Sequence, residues 1–217
     1  MMRRTTLAMM APLAMLVAMP AHAQADNGRS STELHSIIDA YWDYQLEQYP
    51  EFASSLGVDD PLGRVSDASL EAEDSRVAKA KAWLAQLDAI DTATLSEDDK
   101  TNYGILHRSL AEKVEANGYG QRTINFTNRG GWHQNFASMQ NNLPFRNAQD
   151  YQTYINRLKQ YARVNDQSIT VAHQAPAGGY VQPCVSMVGH ETSLSGLLTD
   201  DANQSRIYQP PTRTPPE

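Results

Sequence analysis

The chain has 217 residues, a single cysteine and a formal net charge of −7. That length fits one domain. The acidity leaves no basic footprint for nucleic acid, and one cysteine excludes both a disulfide framework and a Cys-rich zinc module. Hydrophobic residues at 41% and charged residues at 20% belong to a globular chain rather than a disordered polyelectrolyte.

Residues 1–23 read as a secretory signal. Arg3 and Arg4 are the charged start, Leu7–Met19 is an apolar run broken by Pro12, and Ala21-His22-Ala23 fits the small-x-small rule of signal peptidase. The run is too short to cross about 30 Å of hydrocarbon, so the expected mature chain begins at Gln24 and keeps no membrane span. Cleavage removes two arginines and no acid, which makes the product more acidic still. The expected location is the bacterial periplasm or the exterior, and Cys184 reads as a packing residue there.

Residues 24–30 form a polar lead-in. Ser30 and Glu33 make a capping-box pattern, and Leu34, Ile37, Ile38, Tyr41, Trp42, Leu46 and Tyr49 follow at helical spacing until Pro50. Glu51–Leu56 adds a turn or two before Gly57, and 58–64 is a loop. A second helix is predicted over Asp67–Ile90 with Ser66 as its cap, its apolar positions Leu70, Val77, Ala80, Leu84 and Leu87, and Trp83 beside them. A third starts after Ser96, carries Tyr103, Leu106, Leu110 and Val114, and stops at Gly118, read as a C′ glycine.

Residues 119–142 have no helical period. They are rich in Asn, Gln and Gly, and read as a long crossover loop with one short strand candidate, Thr123–Thr127. The fourth helix begins at Asn147, with Asp150 at N3 and a stripe of Tyr151, Tyr154, Ile155, Leu158, Ala162 and Ile169 that runs to His173. Pro176, Gly178 and Gly179 break it. A shorter fifth helix is predicted from Pro183, carrying Val185, Val188 and Leu194. Residues 209–217, with Pro210, Pro211, Pro215 and Pro216, read as a proline-rich tail. The predicted class is all-α, with four to five amphipathic helices over 31–208.

The chemistry is incomplete. A zinc peptidase on a helical scaffold needs His-Glu-x-x-His, because one helical turn aims both imidazoles at the metal. His190-Glu191 is the only His-Glu pair, and Leu194 stands where the second ligand belongs. His35, His107, His133 and His173 have no histidine partner at that spacing. No nucleophile elbow surrounds Ser193 or Ser195, and Asp59-Asp60, Asp98-Asp99 and Asp200-Asp201 fit loops and helix starts. One segment stands out: Asn128–Phe136, where Gly130-Gly131 permits close backbone approach. Trp132, His133 and Gln134 are the candidate substrate-binding residues; the other reading of these aromatics is that they pin a loop to the bundle.

The order of several short patterns carries a resemblance. Tyr49-Pro50-Glu51 and Ala53–Gly57 come first. Phe145–Tyr151 and Tyr154–Leu158 follow, then Gly178–Cys184 and Ser205–Pro210. Together they resemble the N-terminal part of the bacterial family catalogued as domain of unknown function 885. The resemblance implies a larger helical, metallopeptidase-like hydrolase that holds zinc through a His-Glu stretch followed by Pro-Gly-His. No residues of this chain match that motif. The expectation is therefore an exported, truncated N-terminal segment with no metal ligands or cofactor of its own, inactive alone, whose full-length form would act on peptides. The alternative is a stand-alone periplasmic binding or adaptor bundle.

Overall fold

A computed structural model describes residues 21–209, with side chains from residue 28 onward. The expected signal core and residues 210–217 of the expected tail lie outside these residues. The chain is all-α apart from one two-residue hairpin.

The first helix, α1 (Ala21–Gln48), already includes the predicted polar lead-in. Ser30 is not its cap but a buried residue within it. No glycine-proline pair or competing turn interrupts 24–30, so the helix extends back through it. Pro50 ends the run, since it has no N–H to donate, and it then serves as the first residue of α2 (Pro50–Ser55).

Helix α3 (Leu70–Asp88) starts three residues later than expected. Ser69 is the cap, its Oγ accepting from the Ala72 N–H at 3.2 Å. Ser66 is engaged elsewhere: its N–H and hydroxyl both donate to the Glu51 carboxylate, at 3.0 and 2.5 Å. Helix α4 (Glu97–Asn117) starts as predicted, with Ser96 accepting from Asp99 N–H. Its end differs, because Gly118 stays right-handed, with φ −72°.

Helices α3 and α4 run antiparallel, tied by Asn117 to Asp74, Lys113 to Glu73 and His107 to Asp88. Helix α1 closes the group. Its Ser31 and His35 bond the Asp99 carboxylate at 2.8 Å each. The core between them is Leu34, Ile37, Ala80, Trp83, Leu87, Ile90, Leu95, Leu106 and Leu110. Trp83 is central to this core, 3% exposed, with Tyr41 and Tyr44 edge-on to its ring. Trp42, placed on the buried stripe by spacing, is instead exposed and leans on Phe52.

The crossover is more ordered than its composition implied. A 3-10 turn at Gly120–Thr123 precedes β1 (Phe126–Thr127), which pairs antiparallel with β2 (Gly130–Gly131), Phe126 opposite Gly131. Helix α5 (Trp132–Ser138) follows directly, and a 3-10 turn covers Met139–Asn142. The predicted fourth helix is two: α6 (Ala148–Leu158), capped by Asn147, and α7 (Tyr161–Ala177). The break at Lys159–Gln160 resets the helical phase. Ala162 and Ile169 of the expected stripe are therefore exposed, and Val164, Ser168, Val171 and Ala175 face inward instead; Ile155, before the break, is exposed on α6 as well. The expected fifth helix forms only a 3-10 turn at Cys184–Ser186, then α8 (His190–Ser195) after Gly189.

Long-range hydrogen bonds fasten α6 and α7 to the first half. Arg157, 1% exposed, donates to the carbonyls of Arg64 and Pro50, the Ser54 hydroxyl and the Asp60 carboxylate. Burial depresses the Arg157 pKa, and Asp60 and Glu51 oppose that depression. Gly63 lets the 58–66 loop lie on α6. Its φ is +65°, and a Cβ there would stand 2.4 Å from the Thr153 carbonyl oxygen.

Candidate functional site

Two neighbouring features collect the residues singled out from the sequence: a groove beside α5, and an imidazole cluster behind it.

The groove, of about 540 Å³, is floored by Phe52, Trp132, Phe136, Met139, Leu143 and Val164. It exists because α5 is short and amphipathic, burying Phe136 and Ala137 while Trp132 is left half-covered at its start. Trp132 is held in place: its Nε1–H donates to Asn165 Oδ1 on α7 at 3.0 Å, and Phe126 meets its ring edge-on at 5.5 Å. Glu51 and Ser66 also line the groove, but their polar groups are paired with each other.

The cluster faces the other way. His133 is 1% exposed, and its Nε2 lies 3.0 Å from Ser193 Oγ on α8. Ser193 spends its one hydroxyl proton on the His190 carbonyl, at 2.6 Å. It therefore accepts from His133 Nε2–H, which places the imidazole proton on Nε2 and leaves Nδ1 a bare acceptor. Among the described residues that Nδ1 is buried without a partner, as is Nδ1 of His190. The two rings stand edge-to-face, centroids 5.2 Å apart, and His190 also packs on Phe126. Burial pushes the His133 pKa down, and His190 adds to the effect. His133 is thus a neutral imidazole near pH 7.

Gly131 completes the packing. A Cβ there would lie 2.8 Å from Phe126 Cβ and 3.1–3.2 Å from the Cε1–Nδ1 edge of His133. The Gly-Gly signal thus reflects a close approach of hairpin and imidazole.

The structure therefore separates the three sequence candidates. Trp132 lines the groove, His133 is turned inward to α8, and Gln134 is half-buried with Oε1 over Gly130. Sequence reasoning did not find the His133–Ser193–His190 grouping. His133 and Ser193 are 60 positions apart, and the sequence marks His190 only through its defective peptidase motif.

Little nucleophilic chemistry is available to this grouping. Ser193 is an acceptor toward His133, and no carboxylate bonds Nδ1 among the described residues, so the serine is not activated as a catalytic triad requires. Among the described residues no group of three or more His, Cys, Asp or Glu is placed to hold a metal ion. The zinc implied by the resemblance has no fitting donor set among the described residues. No described helix is long and apolar enough to cross a membrane.

The model of a bacterial protein family of unknown function, DUF885, matches residues 50–216. The match begins at the Pro50 that opens α2 and runs on through most of the segment read as a proline-rich tail. No curated protein matches the chain.

Proposed function

Because the chain belongs to the DUF885 family, we propose that it is the N-terminal helical portion of an exported, metallopeptidase-like hydrolase, and that it supplies one wall of a cleft for an extended peptide. Zinc and its ligands belong, in this reading, to sequence beyond this chain, and the segment alone hydrolyses nothing. The observation that carries the reading is the apolar groove with Trp132 on its lining, fixed by Asn165 and backed by the buried His133, with Gln134 beside the hairpin. A groove with an aromatic floor and few free polar groups suits apolar side chains of an extended peptide. Export rests on residues 1–23, whose small-x-small site ends at Ala23 in the first turn of α1.

The test is twofold. Purified chain with added zinc is assayed against a peptide library. We expect no metal-dependent turnover, together with peptide binding that Trp132→Ala weakens by about tenfold or more, the loss of one well-packed aromatic contact. Metal-dependent hydrolysis by this chain overturns the reading, and so does binding indifferent to Trp132. Export is tested by fractionating producing bacteria and sequencing the N-terminus. Gln24 as the first residue, outside the cytoplasm, is expected; an intact Met1 inside the cell overturns that part.

A second reading, a stand-alone binding or adaptor bundle, draws on the closed apolar core of α1, α3 and α4. Activity that appears only when the chain is joined to the downstream part of a family member favours the first reading; peptide binding that never leads to hydrolysis favours the second.

A further inference from the structure

We propose that the docking of α8 on α5 is a pH-gated latch, released when the buried imidazole of His133 takes up a second proton.

The geometry supplies both halves of such a device. In the docked form His133 has one place to put a proton productively, Nε2, and Ser193 already receives it. A second proton must go to Nδ1, which has no acceptor. Nor is that atom open to solvent, since it is fully buried in the docked form. A charged, unpaired N–H in such a site is strongly disfavoured.

Among the described residues no compensating charge faces the ring. On α5 its neighbours Trp132 and Gln134 are uncharged. On the hairpin the ionisable residue is Arg129, exposed at the turn. On α7, Asn165 is uncharged while Asp166 and His173 are exposed. Cys184 of the 3-10 turn and Glu191 of α8 are exposed as well. The group acting on His133 is His190, an imidazole and not a carboxylate.

The other half is a segment able to leave. Helix α8 is six residues long, begins after Gly189 at φ +89° and ends at Ser195, before Gly196. Its neighbours Val185, Val188 and Leu198 are exposed, so little buried apolar surface holds it. The Ser193 contact with His133 and the packing of His190 on Phe126 and His133 are its side-chain attachments to the α5 region.

The direction of the pH effect follows from linkage. The docked imidazole has a depressed pKa, whereas the released one recovers the ordinary value of 6.5. Docking is at full strength above that value and weakens as pH falls below it, until the docked form itself begins to protonate. Between pH 7.5 and 5.5 one such group raises the opening equilibrium, by at most about tenfold, the limit set when the docked imidazole takes up no proton in that range.

Hydrogen exchange on the full chain tests this. After correction for intrinsic rates, protection of amides in 190–196 is expected to fall severalfold, by at most about tenfold, from pH 7.5 to 5.5. Protection at Leu106 and Leu110 should stay unchanged. In His133→Gln, whose amide can still donate to Ser193 but cannot titrate, the pH dependence should vanish. Unchanged protection of 190–196 in the wild type overturns the latch, as does pH dependence that survives in His133→Gln. If that variant does not fold, the wild-type His133 Cε1–H resonance decides. A titration near 6.5 that leaves 190–196 protected overturns the proposal, and a depressed titration coincident with loss of that protection supports it.

Discussion

The two halves of this protein are held together by different chemistry. In the first, α1, α3 and α4 enclose a core of aliphatic residues around Trp83. In the second, many of the attachments that matter are polar and distant in sequence. Arg157 reaches four groups between residues 50 and 64. Gln140 and Tyr154 hold the carbonyls of Arg206 and Ile207, Asn125 donates to Ser168, and Gln182 donates to Phe126. The first half should be more sensitive to lost volume than to loss of a single exposed polar contact. The second should behave in the opposite way, since a buried polar group deprived of its partner costs more than the bond was worth.

That contrast can be broken by measurement. The largest effect is expected from Arg157→Met, which removes the buried cation shared by Asp60, Ser54 and the Pro50 and Arg64 carbonyls and leaves Asp60 to Arg64 alone. Chemical denaturation should show a loss of about 3–5 kcal/mol, and a loss below about 1 kcal/mol would make Arg157 dispensable. Leu110→Ala in the aliphatic core should cost about 3 kcal/mol, and Leu110→Met less than about 1.5 kcal/mol because volume is kept. If both cost the same, packing is not what holds α4.

Smaller and more local is Tyr154→Phe. Burial pushes the Tyr154 hydroxyl up to about 12, so it is always a donor, and its bond to the Ile207 carbonyl is 2.8 Å long. Removal should cost about 1 kcal/mol and speed exchange in 206–209 selectively. Comparable in size is the contrast between serines. Ser69→Ala removes the α3 cap at about 1 kcal/mol and should reduce helicity at Leu70–Glu73. Ser66→Ala should instead loosen the link to Glu51 without shortening α3.

The smallest effect is acid sensitivity at the α6 start. Asp150 is partly buried, which alone raises its pKa, yet hydrogen bonds and charge from Arg146 hold it below the ordinary 3.8. Its stabilising contribution is therefore present above that value and lost as pH falls through and below it. Arg146→Gln should weaken that acid step, and an unchanged acid midpoint would assign the step to other carboxylates.

Much of the first half was legible because its stabilising term is apolar burial, which writes a helical period into the chain. Leu106, Leu110 and the Ser96 cap could be read directly. Where capping alone was in question, local pattern misled: Ser30 and Ser66 look like caps, but one is inside α1 and the other is bound by Glu51. The second half was read less well. The stripe continued from Tyr154 to Ile169 assumed an unbroken helix, and the step at Lys159–Gln160 moved it to Val164, Ser168 and Val171. Of the candidate site, Trp132 and His133 were picked from their place beside Gly130-Gly131, whereas Ser193, His190 and Asn165 carried no local mark.

The all-α class, the helix-forming stretches and the family were thus determined by the chain's own residues, because periodic apolar burial and short ordered patterns are properties of neighbouring positions. Which way His133 turns, what Arg157 holds and where the groove opens were decided by the tertiary structure alone. Those outcomes depend on pairing groups far apart in the chain inside a low-dielectric interior, where each partner's worth is set by what surrounds it.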